Sequence, residues 1–312
     1  MEDVTGFVGR TRETEQALDA IARGSNVLVK GRAGIGKSTF LRHVHGQLHE
    51  HSAPVVWVPS GTTKHAMEAI CRQLHEAVGL AVPASLLGPR VTARAQREGG
   101  LPWKDLARPI RRLSVADTAE IILSALRKRK ALVFIESLEV PPQQADLYTQ
   151  IAEESQVVAA IDEKNRRTRI DRLVWRFQTA IELKPLPVEE CELVVEGWLA
   201  HHPVRFSDQR TRGRYVRHVA QDSGGVPAAI QGMLEAAAKE QEVSPAMARG
   251  FTHEAGVRYV DMTPLVILLI VAAMATRYIS RGFGLEEMLV VSGVATALFT
   301  GVRFFLYQMR QR

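Results

Sequence analysis

Nine consecutive residues, Gly31-Arg-Ala-Gly-Ile-Gly-Lys-Ser-Thr39, constrain this chain more than any other segment. They carry the spacing G-x-x-x-x-G-K-S, directly after the short β-branched run Asn26-Val-Leu-Val-Lys30 and directly before a helical pattern over 37–50. A strand that ends in a glycine loop and opens a helix is the context in which this spacing becomes a phosphate cradle. The glycines let the backbone curl so that successive N–H groups point inward, and the helix N-terminus adds partial positive charge. In that geometry Gly31, Arg32, Ala33, Gly34, Ile35 and Gly36 line the phosphates. Lys37 reaches the β- and γ-phosphates of a nucleoside triphosphate, Ser38 offers a hydroxyl to Mg2+, and Thr39 lies beside the α-phosphate.

The surrounding pattern supports an α/β domain over 1–186. Further strands are expected at 55–58, 131–136, 156–161 and 180–183, with helices at 63–78, 115–129 and 143–153. Strands alternating with helices imply a parallel sheet covered on both faces, the three-layer α/β/α arrangement of P-loop NTPases. Residues 83–114, rich in Pro, Gly and Arg with little periodicity, read as a basic insertion or long loop. From 187 to 245 the pattern turns helical, giving a small helical domain with the nucleotide near the joint.

A triphosphate site needs a carboxylate to hold Mg2+ through its water shell. It is expected at the end of a buried strand next to the phosphate-loop strand. Ala131-Leu-Val-Phe-Ile-Glu136 fits, and assigns that role to Glu136. The following residue is Ser137, not an acid that could polarise water; Glu139 is the alternative, and slow hydrolysis or a binding switch with little turnover stays open.

These residues resemble the AAA+ ATPases, in particular the branch of origin-recognition proteins, ExeA-type and transposition ATPases and STAND NTPases. Phe7-Val-Gly-Arg-Thr-Arg-Glu13 is similar to the element that these families place around adenine, which implies that Val8 and Gly9 approach the base. Leu173-Val-Trp-Arg-Phe177, followed by Ile181-Glu-Leu-Lys-Pro-Leu186, resembles the stretch carrying their arginine finger. The resemblance makes Arg176 the finger, reaching a neighbour's nucleotide in a homo-oligomer, with Arg166, Arg167 and Arg169 as competitors. Gly224-Gly-Val-Pro-Ala-Ala-Ile230 resembles the lid motif, where Pro227 borders the nucleotide and relatives carry a sensor arginine at the position of Ala228. Asp162 lies near the expected polar sensor-1 residue, or simply in a strand-end turn. The implied ligands are ATP or ADP with Mg2+.

The charge of +6 favours anionic partners without choosing among nucleotide, nucleic acid and lipid. Cys71 and Cys191 are far apart and support neither a disulfide framework nor a zinc site. The opening MEDVTGFVGR has no signal-peptide pattern, so the ATPase domain is expected to face the cytoplasm. After a linker at 246–261, residues 262–307 hold two hydrophobic runs, 264–276 and 288–302. A spanning helix takes about 20 apolar residues, so these read as a hydrophobic, transmembrane hairpin, or else as two buried helices. The leading expectation is a membrane-anchored AAA+/STAND-like ATPase switch acting on or through the membrane, with stress or anti-phage signalling as its setting. A nucleic-acid-associated assembly factor of transposition or ExeA type is the alternative, and an ATP-binding structural partner is a third.

Overall fold

The computed structural model describes residues 7–48, 53–83, 87, 92, 101–162, 168–240, 243–245, 247, 250–251, 271–272, 274–276 and 278. Contacts divide the chain into two compact units, Met1–Val257 and Arg258–Arg312. The first contains a five-stranded parallel sheet in the order β2-β3-β4-β1-β5, from β1 (Val27–Gly31), β2 (Val55–Val58), β3 (Leu132–Ile135), β4 (Gln156–Asp162) and β5 (Thr179–Glu182).

Why the sheet takes two layers of helices is visible in its inner strands. Successive side chains of a strand point to opposite faces, and here both faces are apolar. Val133, Ile135, Val157, Ala159 and Ile161 pack on one side with Leu28, while Leu132, Phe134, Val158 and Ala160 pack on the other with Val27 and Val29. The second face is covered by α1 (Thr11–Ala22) and α2 (Lys37–Gly46) through Ala17, Ala20, Ile21, Phe40, Leu41 and Val44. The first is covered by α3 (Thr63–Val78), α4 (Trp103–Arg112), α5 (Val115–Lys128), α6 (Pro142–Glu154) and α7 (Thr168–Val174). A parallel sheet buried on both faces is the expected outcome of such strands.

Two expectations are corrected here. The strand ending at Glu136 does not neighbour the phosphate-loop strand, because β4 lies between β3 and β1. The basic stretch is not all loop: residues 103–112 form α4, and Leu106 and Ile110 enter the core, being 1% and 3% exposed. Trp103, Leu106 and Ile110 follow helical spacing, but the charges around them and Pro109 hide it. Helix α5 then starts at a side-chain cap, with Ser114 Oγ accepting from the Asp117 N–H at 3.1 Å.

Beyond the sheet, α8 (Val188–His201), α9 (Gln209–Asp222) and α10 (Pro227–Ala238) enclose a separate small core around Cys191, Val195, Tyr215, Val219, Ile230 and Met233. The Tyr215 hydroxyl donates to the Met233 carbonyl at 2.9 Å, so the buried phenol is satisfied. The hydrophobic hairpin expected at 262–307 lies almost wholly outside the described residues. Among the described residues no helix is long and apolar enough to cross a membrane.

Candidate nucleotide-binding site

The site begins where β1 runs out. Gly31 ends the strand, Gly34 and Gly36 take φ of 76° and 89°, and α2 starts at Lys37. The N-cap of α2 is Gly36, with no side-chain cap and no acidic residue in the first turn. The first-turn N–H groups therefore have no side-chain acceptor, which makes the loop an anion site by construction. Lys37 folds over it: its Nζ donates to the Gly31 and Arg32 carbonyls at 2.8 and 3.0 Å. Ser38 is half-buried in the first turn of α2, and Thr39 beside it is exposed.

Ahead of β1, the residues Phe7 to Arg10 reach this loop from below. Phe7 stacks on the His43 ring of α2, with centroids 3.8 Å apart. Val8 is half-buried, and Gly9 has its Cα against the Glu190 carboxylate of α8, so that a Cβ there would collide with it. Arg10 holds a left-handed backbone at φ 60°, is 8% exposed, and donates from Nη2 to the Ile35 carbonyl inside the phosphate loop. Burial pulls this guanidinium below its ordinary pKa, opposed by Glu13 and Glu190. Arg10 belongs to the element before β1 in which the sequence assigns roles to Val8 and Gly9 alone; its left-handed turn and its bond into the phosphate loop add it to the site.

Above the loop sits the start of α10. The Ala228 N–H donates to the Gly34 carbonyl at 3.1 Å, and Pro227 lies against Gly36. The approach is close enough that a Cβ on Gly34 would stand 2.9 Å from that of Ala228. The joint is fixed from the sheet side at Gly225, whose carbonyl accepts from the Leu186 N–H at 2.9 Å. At φ 73°, and with a Cβ that would lie 2.3 Å from the Leu186 carbonyl oxygen, position 225 admits glycine alone. Arg32 crosses between the two parts, Nη2 donating to the Gly224 carbonyl at 3.3 Å.

The acids line the sheet's end. Asp162 closes β4 opposite Gly31 and stands 3.7 Å from Lys37 Nζ, which brings it beside the phosphate loop. Glu136, one strand further, is only 10% exposed. Arg42 of α2 donates to its Oε1 at 2.8 Å, and Ser60 donates to Oε2 through its N–H at 3.0 Å and its hydroxyl at 3.1 Å. Arg42 lies one turn after Ser38 on the same face of α2, so Glu136 faces the side of the helix that carries the Ser38 hydroxyl. Glu139 is exposed, its N–H bound to Ser137 Oγ at 3.0 Å. Arg176 pairs with Glu153 of α6 in its own chain, and Trp175 beside it is 84% exposed. Arg166, Arg167 and the side chain of Arg169 lie outside the described residues.

The arrangement fits a bound triphosphate on its own evidence. Among the described residues, Arg10 Nε and Arg32 Nε are two of the three buried side-chain polar atoms without a partner. Both belong to cations flanking the phosphate loop. Buried donors left unpaired are costly, and their clustering around an uncapped helix start marks a place for anionic oxygens. A cavity of about 300 Å3 lined by Met67, Ile110, Leu113 and Val115 contains none of these residues.

Residues 6–242 match the AAA ATPase domain family. The chain belongs to it. No curated protein matches the AAA chain. Among solved structures it is similar to the Aeropyrum pernix Orc1 protein in complex with DNA, at 14% identity over 88% of this chain and 69% of that one, with a TM-score of 0.47. The Thermotoga maritima RuvB Holliday junction branch migration motor aligns at 14% identity over 91% and 86%, TM-score 0.45. Domain III of the replication initiation protein DnaA from the same organism aligns at 16% over 80% and 95%, TM-score 0.45. The family match runs over one continuous stretch that includes the parallel sheet, the phosphate loop and helices α8 to α10.

Proposed function

We propose that this AAA domain binds ATP with Mg2+ and hydrolyses it slowly, as a switch whose lid position follows the contents of the phosphate loop. The observation that carries this reading is the bond from the Ala228 N–H to the Gly34 carbonyl. The loop's own backbone holds the lid, so a phosphate that reshapes the loop acts directly on α10.

Each residue has a distinct task in this reading. The backbone from Gly31 to Gly36 and the first turn of α2 hold the phosphates, and Lys37 leaves its two carbonyl partners for the β- and γ-oxygens. Ser38 and, through water, Glu136 would hold Mg2+, which would supply positive charge against the phosphates. Val8, Gly9 and Pro227 border the base, and Arg10 keeps the loop's turn in place through Ile35. Ser137 cannot accept a proton from water as a carboxylate does, which leaves Asp162 and Glu139 as the acids near the sheet's end and makes turnover slow. Arg176 turns from Glu153 toward the nucleotide of a second copy. That ion pair is half-exposed on both sides and worth little, so exchanging it costs little.

The setting is proposed from the sequence: the apolar runs at 264–276 and 288–302 associate the chain with a membrane, and the ATPase domain faces the cytoplasm. Nucleotide titration of the wild type beside Lys37→Ala tests the first part, and extraction of membranes from cells carrying the full chain tests the second. Binding that survives Lys37→Ala sinks the nucleotide reading. A chain recovered without detergent and bound tightly to DNA at low salt replaces the anchored switch with the nucleic-acid reading.

A further inference from the structure

Arg32 occupies a loop position whose side chain has no fixed duty in a phosphate cradle, yet this side chain spans the joint between loop and lid. Its Nη2 donates to Gly224, the residue that opens the turn into α10. Its Nε is buried without a partner, and its carbonyl accepts from Lys37 Nζ, so it stands on the same wall of the cradle as the lysine. A guanidinium carries five N–H donors in a planar fork suited to anionic oxygens. The lid itself contributes no cation at this point. Ala228 packs so closely on Gly34 that its backbone, not a long side chain, makes the contact.

We propose that Arg32 reads the terminal phosphate and transmits it to the lid, its Nη2 bonded to Gly224 and the neighbouring Nε donating to the γ-phosphate. The proposal rests on the nucleotide reading above and deepens it, because it names the side chain that makes a triphosphate and a diphosphate differ at the joint. The bond to Gly224 is long, so the lid is held loosely from Arg32 until an anion fixes the fork. A charge-assisted bond to phosphate is shorter and stronger than one to a neutral carbonyl, and it orients the whole plane. ATP then clamps α10 onto the loop through Arg32, whereas ADP leaves Nε unpaired and the long Gly224 bond as loose as it is here.

The test uses the full chain, titrated calorimetrically with the β,γ-imido analogue of ATP and with ADP, both with Mg2+, together with hydrogen exchange at the Ala228 amide. In the wild type the triphosphate analogue protects that amide more than ADP does. Arg32→Ala weakens the analogue about tenfold, leaves ADP within about twofold, and abolishes the extra protection. Arg32→Lys, which keeps the charge and loses the fork, recovers part of the affinity. Equal weakening of both nucleotides reduces Arg32 to a structural tie to Gly224 and overturns the proposal, as does no change in either. A wild type that binds neither nucleotide overturns the nucleotide reading together with the proposal.

Discussion

The two walls of the site are built in opposite ways. The phosphate wall is one contiguous piece of chain, Gly31 to Thr39, whose shape follows from glycines, a strand end and a helix start. The acidic wall is assembled from Glu136 and Asp162, at the ends of different strands, with Arg42 and Ser60 holding one acid and Lys37 standing near the other. A contiguous wall is specified locally and tolerates change elsewhere. An assembled wall depends on the order and packing of the whole sheet, so damage far from the ligand reaches it.

The largest effect expected from this contrast is on the contiguous wall. Lys37→Ala removes the only cation that covers the loop from its own helix, and triphosphate affinity falls by about a hundredfold or more, with hydrolysis lost, as read by titration and phosphate release. Next comes Phe134→Ala. Phe134 is fully buried, stacked on Trp57 with centroids 5.9 Å apart, two residues before Glu136. Its truncation costs about 3–5 kcal/mol in chemical unfolding, and the comparison predicts a loss of Mg2+ dependence in the surviving folded protein while Mg2+-free nucleotide affinity changes less. If both fall together, the walls are not separable.

Arg42→Ala sharpens the comparison on the acidic side. Without the guanidinium, Glu136 keeps its Ser60 bonds but frees Oε1 for metal-bound water, and the Mg2+ midpoint for nucleotide binding moves down about threefold. A midpoint that rises shows that Arg42 positions Glu136 and does not compete for it. The smallest effect is a pH trend. His45 packs edge-on against Trp57 and Phe134, and desolvation holds its pKa below the ordinary value. The unfolded chain therefore binds the proton first, so this contribution to stability is complete above about pH 6.5 and declines as pH falls below it. His45→Phe flattens the fall in thermal midpoint between about pH 7.5 and 5.5.

Legibility follows the same division. The phosphate loop and the strands at 55–58 and 156–161 are plain in the sequence because their signals are short-range: a fixed spacing, or an unbroken apolar run. Strand order is not short-range, which is why Glu136 was expected beside β1 when β4 in fact intervenes. Helix α4 was hidden by arginines on its solvent side, although Leu106 and Ile110 carry its buried stripe. Arg32 is legible as part of the phosphate loop and Arg10 as part of the element before β1, but the carbonyls of Gly224 and Ile35 that their side chains reach are not. Nothing local to Arg32 announces Gly224.

The place of β1 inside the sheet sets a schedule for synthesis. Val27 pairs with Val158 on one side and Thr179 on the other, so the strand that ends in the phosphate loop has no partner when it leaves the ribosome. It waits through β2 and β3, gains its first partner only when the chain has been extended through β4 to Asp162, and its second at Glu182. Contacts so distant in sequence form late and slowly. Until then the apolar strand is open to the wrong partners, and a nascent AAA domain is most exposed to aggregation in the interval between making its nucleotide motif and making the strands that support it.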